Sequence, residues 1–115
     1  MHEVGIMESA MSLVEQHAAG RERSRVSRVV LRVGVLAGVD LYALRFAFDV
    51  VSAGTLAEGA DFEVEEVPVT AYCLGCEREF SGVDGDFVFA CPDCGDFSGE
   101  VRRGRELELS RIELS

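Results

Sequence analysis

The residues of this chain best suited to chemistry are four cysteines that form two closely spaced pairs. The pairs read "CLGC" at Cys73 and Cys76 and "CPDC" at Cys91 and Cys94. Two residues between the members of a pair let one tight turn aim both sulfur atoms at a common point, and two such turns can enclose a tetrahedral metal site. Four thiolates suit zinc first and iron second. The spacing therefore predicts a structural zinc site.

Two other uses of these cysteines agree less well with the sequence. Disulfides are rare in the cytoplasm, where we expect this chain because it shows neither a secretory signal nor an apolar run that could span a membrane. A thioredoxin-type redox pair stands at a strand-to-helix junction, whereas the segments around both pairs are typical of hairpins. A closed four-thiolate site also leaves no coordination position for a substrate.

The first three residues, Met1, His2 and Glu3, form a second candidate ligand set. The terminal amine of Met1, the backbone nitrogen of His2 and its imidazole can chelate one ion in two low-strain rings. Glu3 adds another backbone nitrogen and a carboxylate. Such strong-field donors favour square-planar Ni(II) or Cu(II). The alternative is a solvated chain end, and the residues taken alone favour that interpretation.

Composition bounds the class of protein. The chain has 115 residues, 48% of them hydrophobic, which is enough for one domain with a modest core and argues against disorder. Its net charge of −10 disfavours nucleic-acid binding, because an acidic chain repels phosphate backbones. The sequence offers no nucleophile–base pair, phosphate loop or open metal site, so an enzyme is not expected.

Hydrophobic periodicity predicts an α+β fold. We expect helices over 4–19 and 41–54 and strands over 26–36, 60–73 and 105–115. Asp40 is the predicted N-cap of the second helix, and Pro68 marks an irregularity in the second strand. The prediction is a small mixed sheet with two helices (1–70 and 99–115), into which a rubredoxin-like zinc-ribbon subdomain (71–98) is inserted.

Four features together resemble one known family. They are "MHE" at the start, "RVVLRVGVLAGVD", "FAFDVVSAGTLAEGADFEVEEVP" and the doubled C-x-x-C. In this combination the chain resembles the HypA/HybF hydrogenase nickel-incorporation proteins over essentially its whole length. The resemblance implies a cytoplasmic nickel metallochaperone for [NiFe] hydrogenase maturation, with an α/β nickel domain and a zinc domain.

The resemblance also implies roles for particular residues and partners. Nickel would bind His2, next to the terminal amine of Met1, with Glu3 supporting the site and Asp40 near it. Zinc would bind the four cysteines. The implied partners are a hydrogenase-maturation GTPase, the [NiFe] hydrogenase large-subunit precursor and, in some organisms, urease maturation proteins. Nucleic acid and membrane are not expected partners.

One departure and two rival functions accompany this resemblance. Glu77 follows the first cysteine pair, where glycine is common, so the geometry of that turn stays open. One rival is a zinc-ribbon adaptor that binds proteins without transferring nickel. The other is an iron electron-transfer protein, although such proteins need little beyond the cysteine segment.

Overall fold

The computed structural model describes residues 2–19, 25–81, 90–97 and 100–115. The chain divides into two compact units, the first formed by Met1–Arg32, Gly38–Glu65 and Glu108–Ser115, the second by Val33–Ala37 and Glu66–Leu107. The predicted zinc-binding segment 71–98 falls inside the second unit, which extends beyond it on both sides. Across the described ranges, no helix is both long and apolar enough to cross a membrane.

The regular elements follow the predicted order, with additional short strands. The helices are α1 (His2–Ala18) and α2 (Leu41–Ser52), and a short 3-10 helix spans Val35–Ala37. The strands are β1 (Val26–Gly34), β2 (Asp61–Val67), β3 (Thr70–Cys73), β4 (Arg78–Phe80), β5 (Val101–Arg103) and β6 (Leu107–Leu114). The α+β class with two helices is confirmed.

Helix α1 begins earlier than the periodicity predicted. It starts at His2 rather than at residue 4, so His2 and Glu3 belong to its first turn and are not a solvated extension. An acidic residue in a first turn interacts favourably with the positive end of the helix dipole. The buried side chains repeat at helical spacing and include Met7, Met11 and Val14.

Helix α2 is capped as its sequence predicts. The Oδ1 atom of Asp40 accepts hydrogen bonds from the backbone N–H groups of Tyr42 (3.0 Å) and Ala43 (3.2 Å). These bonds satisfy two of the donors that a helix start leaves unpaired. The face of α2 that is buried in the core carries Leu44 and Phe48, and Phe48 stacks on Phe62 of β2 at 4.8 Å between ring centroids.

The first sheet has the strand order β2-β1-β6. The last strand therefore joins the sheet begun by the first two, as predicted, and it pairs with β1. Charged side chains on these strands form pairs across the sheet. Arg32 of β1 lies between Glu65 of β2 (3.5 Å) and Glu108 of β6 (3.0 Å). A central strand that is mostly buried explains the dense run of Val and Leu in β1.

The predicted strand over 60–73 is divided in the structure. Its first half is β2 in the first sheet, and its second half is β3 in a second sheet of order β4-β3-β5. Pro68 lies between the halves and has no N–H to donate to a ladder, so pairing stops there. β3 pairs antiparallel with β4, Cys73 opposite Arg78, and with β5, Thr70 opposite Arg103.

Gly34 provides a stability prediction within the second unit. A Cβ atom added to Gly34 would lie 2.1 Å from the backbone carbonyl carbon and oxygen of Gly104. Because backbone atoms cannot move aside as a side chain can, we expect Gly34→Ala to cost about 3 kcal/mol or more in the free energy of unfolding. Denaturant unfolding measures this cost.

The matched control is Gly5→Ala in α1. A Cβ atom at Gly5 meets nothing within 4 Å, and alanine in a helix is favoured over glycine by about 0.5–1 kcal/mol. The control should therefore be neutral or stabilising. An unfolding midpoint for Gly34→Ala equal to that of the original chain would contradict the close approach of the two glycines.

Candidate metal sites

The four cysteines lie together in the second unit. Their Sγ atoms are all within 4.8 Å of one another, with Cys73 and Cys94 3.6 Å apart and Cys76 and Cys91 3.9 Å apart. A tetrahedral ion with metal–sulfur bonds of about 2.3 Å separates its ligands by about 3.8 Å. All four are free cysteines, without disulfide bonds. The arrangement therefore fits a four-thiolate zinc site.

Each cysteine pair is held by a local turn. The first turn joins β3 to β4, as the predicted hairpin requires. In the second, the N–H of Gly95 donates to the carbonyl of Cys91 (2.8 Å), and the N–H of Cys91 donates to the carbonyl of Asp96 (2.8 Å). These bonds close the loop around the second pair, so each C-x-x-C segment is positioned by its own backbone.

The residue after each cysteine pair adopts the same backbone conformation. Gly95 has φ 78° and Glu77 has φ 55°, both in the left-handed region. Glycine enters this region without strain, whereas a residue with a Cβ atom is strained there by about 1–2 kcal/mol. The first turn therefore keeps its geometry although glycine is absent, and Glu77 is the residue that is strained.

We expect Glu77→Gly to raise the free energy of unfolding of the metal-loaded protein by about 0.5–1 kcal/mol. The gain is the relief of left-handed strain less the extra chain entropy that glycine brings to the unfolded state. The matched variant Gly95→Ala introduces the strain at the equivalent position and should destabilise. Both are compared by thermal unfolding with zinc bound, and a destabilising Glu77→Gly would contradict the strain at Glu77.

The surroundings of the sulfur atoms shift the pKa values of Cys91 and Cys76 in opposite directions. Hydrogen bonds from the backbone N–H groups of Cys94 and Asp93 lower the pKa of Cys91 to about 7. Hydrogen bonding with the thiols of Cys94 and Cys73 raises the pKa of Cys76 to about 12. Four thiolates this close repel one another, so a divalent cation is needed to hold all four deprotonated.

The N-terminal candidate residues lie together in the first unit. The Nε2 atom of His2 is 3.2 Å from the Oε2 atom of Glu3. The same Oε2 atom accepts a hydrogen bond from the backbone N–H of Asp40 at 3.1 Å, and that bond is the largest cause that lowers the pKa of Glu3. Glu3 therefore links the start of α1 to the residue that caps α2. Met1 lies outside the described residues.

The imidazole and the carboxylate of this cluster differ in exposure. The side chain of His2 is 65% exposed and that of Glu3 is 14% exposed, so the imidazole is accessible while the carboxylate is held in place. Asp40 directs Oδ1 to its own helix as the cap, and it contacts Glu3 through its backbone. His17, the other histidine, is exposed in the last turn of α1.

Sequence reasoning missed the hydrogen bond between Glu3 and Asp40. These residues are far apart in the chain, and no local spacing reports on their contact. The only available signal was that both were acidic residues named by the same family resemblance. The left-handed conformation of Glu77 was also missed, although the glycine at the equivalent position after the second pair indicated it.

Fold and sites together define a class of protein. Within the described ranges, two helices and two small sheets carry a four-cysteine cluster that could hold a metal ion in one unit and an accessible histidine beside a carboxylate in the other. This combination is that of a small metal-handling protein.

Comparison with known proteins identifies the family. The family described as "Hydrogenase/urease nickel incorporation, metallochaperone, hypA" matches residues 1–114. The chain is 41% identical over 114 residues to the hydrogenase maturation factor HypA of Azotobacter chroococcum, covering 99% of each chain. The chain therefore belongs to the HypA family of nickel metallochaperones.

Two solved structures have the same fold. The solution structure of the nickel metallochaperone HypA from Helicobacter pylori aligns with a TM-score of 0.68 at 23% identity, over 97% of this chain and 96% of that one. A second solution structure of a HypA protein aligns with a TM-score of 0.70 at 24% identity, over 100% of this chain and 97% of that one.

Proposed function

We propose that this protein binds Ni(II) at its N-terminus and delivers it for the maturation of [NiFe] hydrogenase. The observation that carries the proposal is the link from His2 through the Glu3 carboxylate to the backbone of Asp40. This link holds an accessible imidazole beside the chain terminus. Membership of a nickel-incorporation family supports the choice of metal.

The proposed donors are the Met1 amine, the backbone nitrogen of His2 and the His2 imidazole. The first N–H groups of an α-helix have no intrahelical partner. His2 opens α1, so nickel can take its amide nitrogen without breaking a helical hydrogen bond. Glu3 offers a charge beside the imidazole, and Asp40 acts as a supporting residue by fixing the position of Glu3.

Zinc has a structural role in this proposal. Cys73, Cys76, Cys91 and Cys94 are its proposed ligands, and the separations of their sulfur atoms support the assignment. A closed site of four thiolates retains its ion, which suits a structural metal. An accessible site at a chain terminus suits a metal that must be released.

The proposed partners follow from hydrogenase maturation. They are the maturation GTPase and the [NiFe] hydrogenase large-subunit precursor, and the family description extends the set to urease maturation proteins. The proposed location is the cytoplasm. The net charge of −10 supports protein partners over nucleic acid.

Nickel titration with and without an N-terminal extension tests the proposal. The chain beginning at Met1 should bind one Ni(II), measured by calorimetry with zinc already bound. Two residues added before Met1 convert its amine to an amide and remove one donor, so we expect binding at least about 10-fold weaker, on the scale of lost metal-site contacts.

A chain extended at its C-terminus by the same two residues is the control and should keep full nickel affinity. Equal nickel affinity in all three chains would contradict a ligand set that needs the free amine. The absence of nickel binding in the unextended chain would instead favour the zinc-ribbon adaptor that transfers no metal.

A further inference from the structure

Helix α2 exposes a row of large apolar side chains. Tyr42 is 88% exposed, Phe46 is 70% exposed and Val50 is 56% exposed. Residues four apart lie on the same side of a helix, so these three form one continuous ridge, here called the α2 ridge. The opposite face of α2 carries the buried residues, such as Leu44. The side chains of the ridge are therefore not part of the core.

The α2 ridge begins beside the proposed nickel site. The backbone N–H of Tyr42 donates to Asp40 Oδ1, and the backbone N–H of Asp40 donates to Glu3 Oε2. Glu3 in turn contacts His2. A protein seated on the ridge would therefore lie next to the imidazole proposed to hold nickel.

The size of the ridge argues against a stable dimer of this chain. Three such side chains cover no more than about 600 Å², whereas a stable interface takes about 800 Å² from each partner. Two copies would also each carry a net charge of −10, which opposes their approach. A small apolar contact suits a short-lived complex, which a protein that passes on its metal requires.

The charge beside the ridge indicates the chemistry of the partner. Arg45 and Asp49 are both exposed on the same side of α2 as the ridge. The guanidinium of Arg45 is directed away from a partner, because it donates to the carbonyl of Phe62 (3.1 Å) and lies over the Phe62 ring. Asp49 lies next to Phe46 and Val50, and Asp40 is exposed at the end where the ridge begins.

An apolar groove with basic side chains at its rim complements this surface. We propose that the α2 ridge docks a partner protein with such a groove, the protein that exchanges nickel with the His2 site. This inference rests on the proposed function.

The test compares binding of purified maturation GTPase and of purified hydrogenase large-subunit precursor to variants of the full chain. Tyr42→Gln with Phe46→Gln removes the aromatic side chains while glutamine keeps a good helix former at both positions. We expect the affinity for at least one of the two proteins to fall at least about 10-fold, the scale on which interface aromatic residues act. Asp49→Arg should weaken the same complex.

The matched control is Leu74→Gln with Phe97→Gln, two exposed apolar side chains of the second unit. This control should leave binding unchanged. Unchanged binding of both proteins to the ridge variant, loss of binding in the control instead, or no binding to the original chain would each overturn the inference. A concentration-dependent dimer that the ridge variant abolishes, seen by sedimentation, would assign the ridge to a second copy and overturn it too.

Nickel titration of the same variants keeps the two proposals distinguishable. The ridge variant should bind Ni(II) as the original chain does, because neither substituted side chain is a proposed ligand. If the original chain binds no nickel, the proposed function is contradicted. Partner binding measured without nickel would still test whether the ridge docks a partner protein.

Discussion

Replacing His2 with alanine is expected to abolish stoichiometric Ni(II) binding while leaving zinc content and fold intact. The imidazole is the only side-chain nitrogen of the proposed ligand set. Its loss opens the chelate ring between the His2 amide nitrogen and the imidazole. We expect nickel affinity to fall by about 100-fold or more, since loss of merely outer contacts costs metal sites about 10- to 100-fold. Calorimetric titration measures the change.

His17→Ala is the matched control for this prediction. His17 is the other imidazole of α1 and is exposed at the opposite end of the same helix. The control should bind nickel normally. Unchanged nickel affinity in His2→Ala, or an equal loss in both variants, would show that the ion binds elsewhere.

A graded result is expected for Glu3→Ala. Glu3 holds both the imidazole of His2 and the backbone of Asp40, so its removal frees the imidazole without deleting it. A loss of about 10- to 100-fold, smaller than that of His2→Ala, agrees with a supporting role. A loss as complete as that of His2→Ala would make Glu3 a direct ligand.

Removing the metal from the four-cysteine site is expected to unfold β3, β4 and β5 while α1 and α2 persist. The buried apolar cluster around this site comprises Ala71, Cys73, Phe80 and Cys91, with Cys76 packed against it. Three of these five residues are proposed zinc ligands, so little core remains without the ion. Structural zinc contributes about 10–16 kcal/mol in small zinc domains. Amide NMR signals measure the loss strand by strand.

Cys91→Ser removes one proposed ligand and should have the same effect as removing the metal. Its control is Leu74→Ser in the first C-x-x-C turn. The control residue is exposed and offers no ligand, so its variant should retain zinc and structure. Persistence of the β3, β4 and β5 signals after chelation would contradict a structural metal. Strong visible absorption of the purified protein would indicate that the site holds iron rather than zinc.

Local patterns predicted the elements whose cause is local. The Asp40 cap could be predicted because a capping side chain bonds backbone groups two and three residues away. Pro68 marked the break in pairing because proline has no N–H to donate, whatever sheet surrounds it. That the two halves of this segment join different sheets depends on β1, which pairs with β2, and on β5, which pairs with β3, and both lie far away in the chain.

The chemistry of the cysteine site was present in the amino-acid sequence, because each C-x-x-C turn closes within a few residues and its sulfur atoms converge wherever the turn forms. The candidate donors at the N-terminus were present in it too, but the contact that holds them was not. His2 and Glu3 acquire their setting only when the folded chain brings Asp40 to Glu3. That contact depends on how α1 and α2 pack together, and no local spacing encodes the packing of two helices separated by a strand.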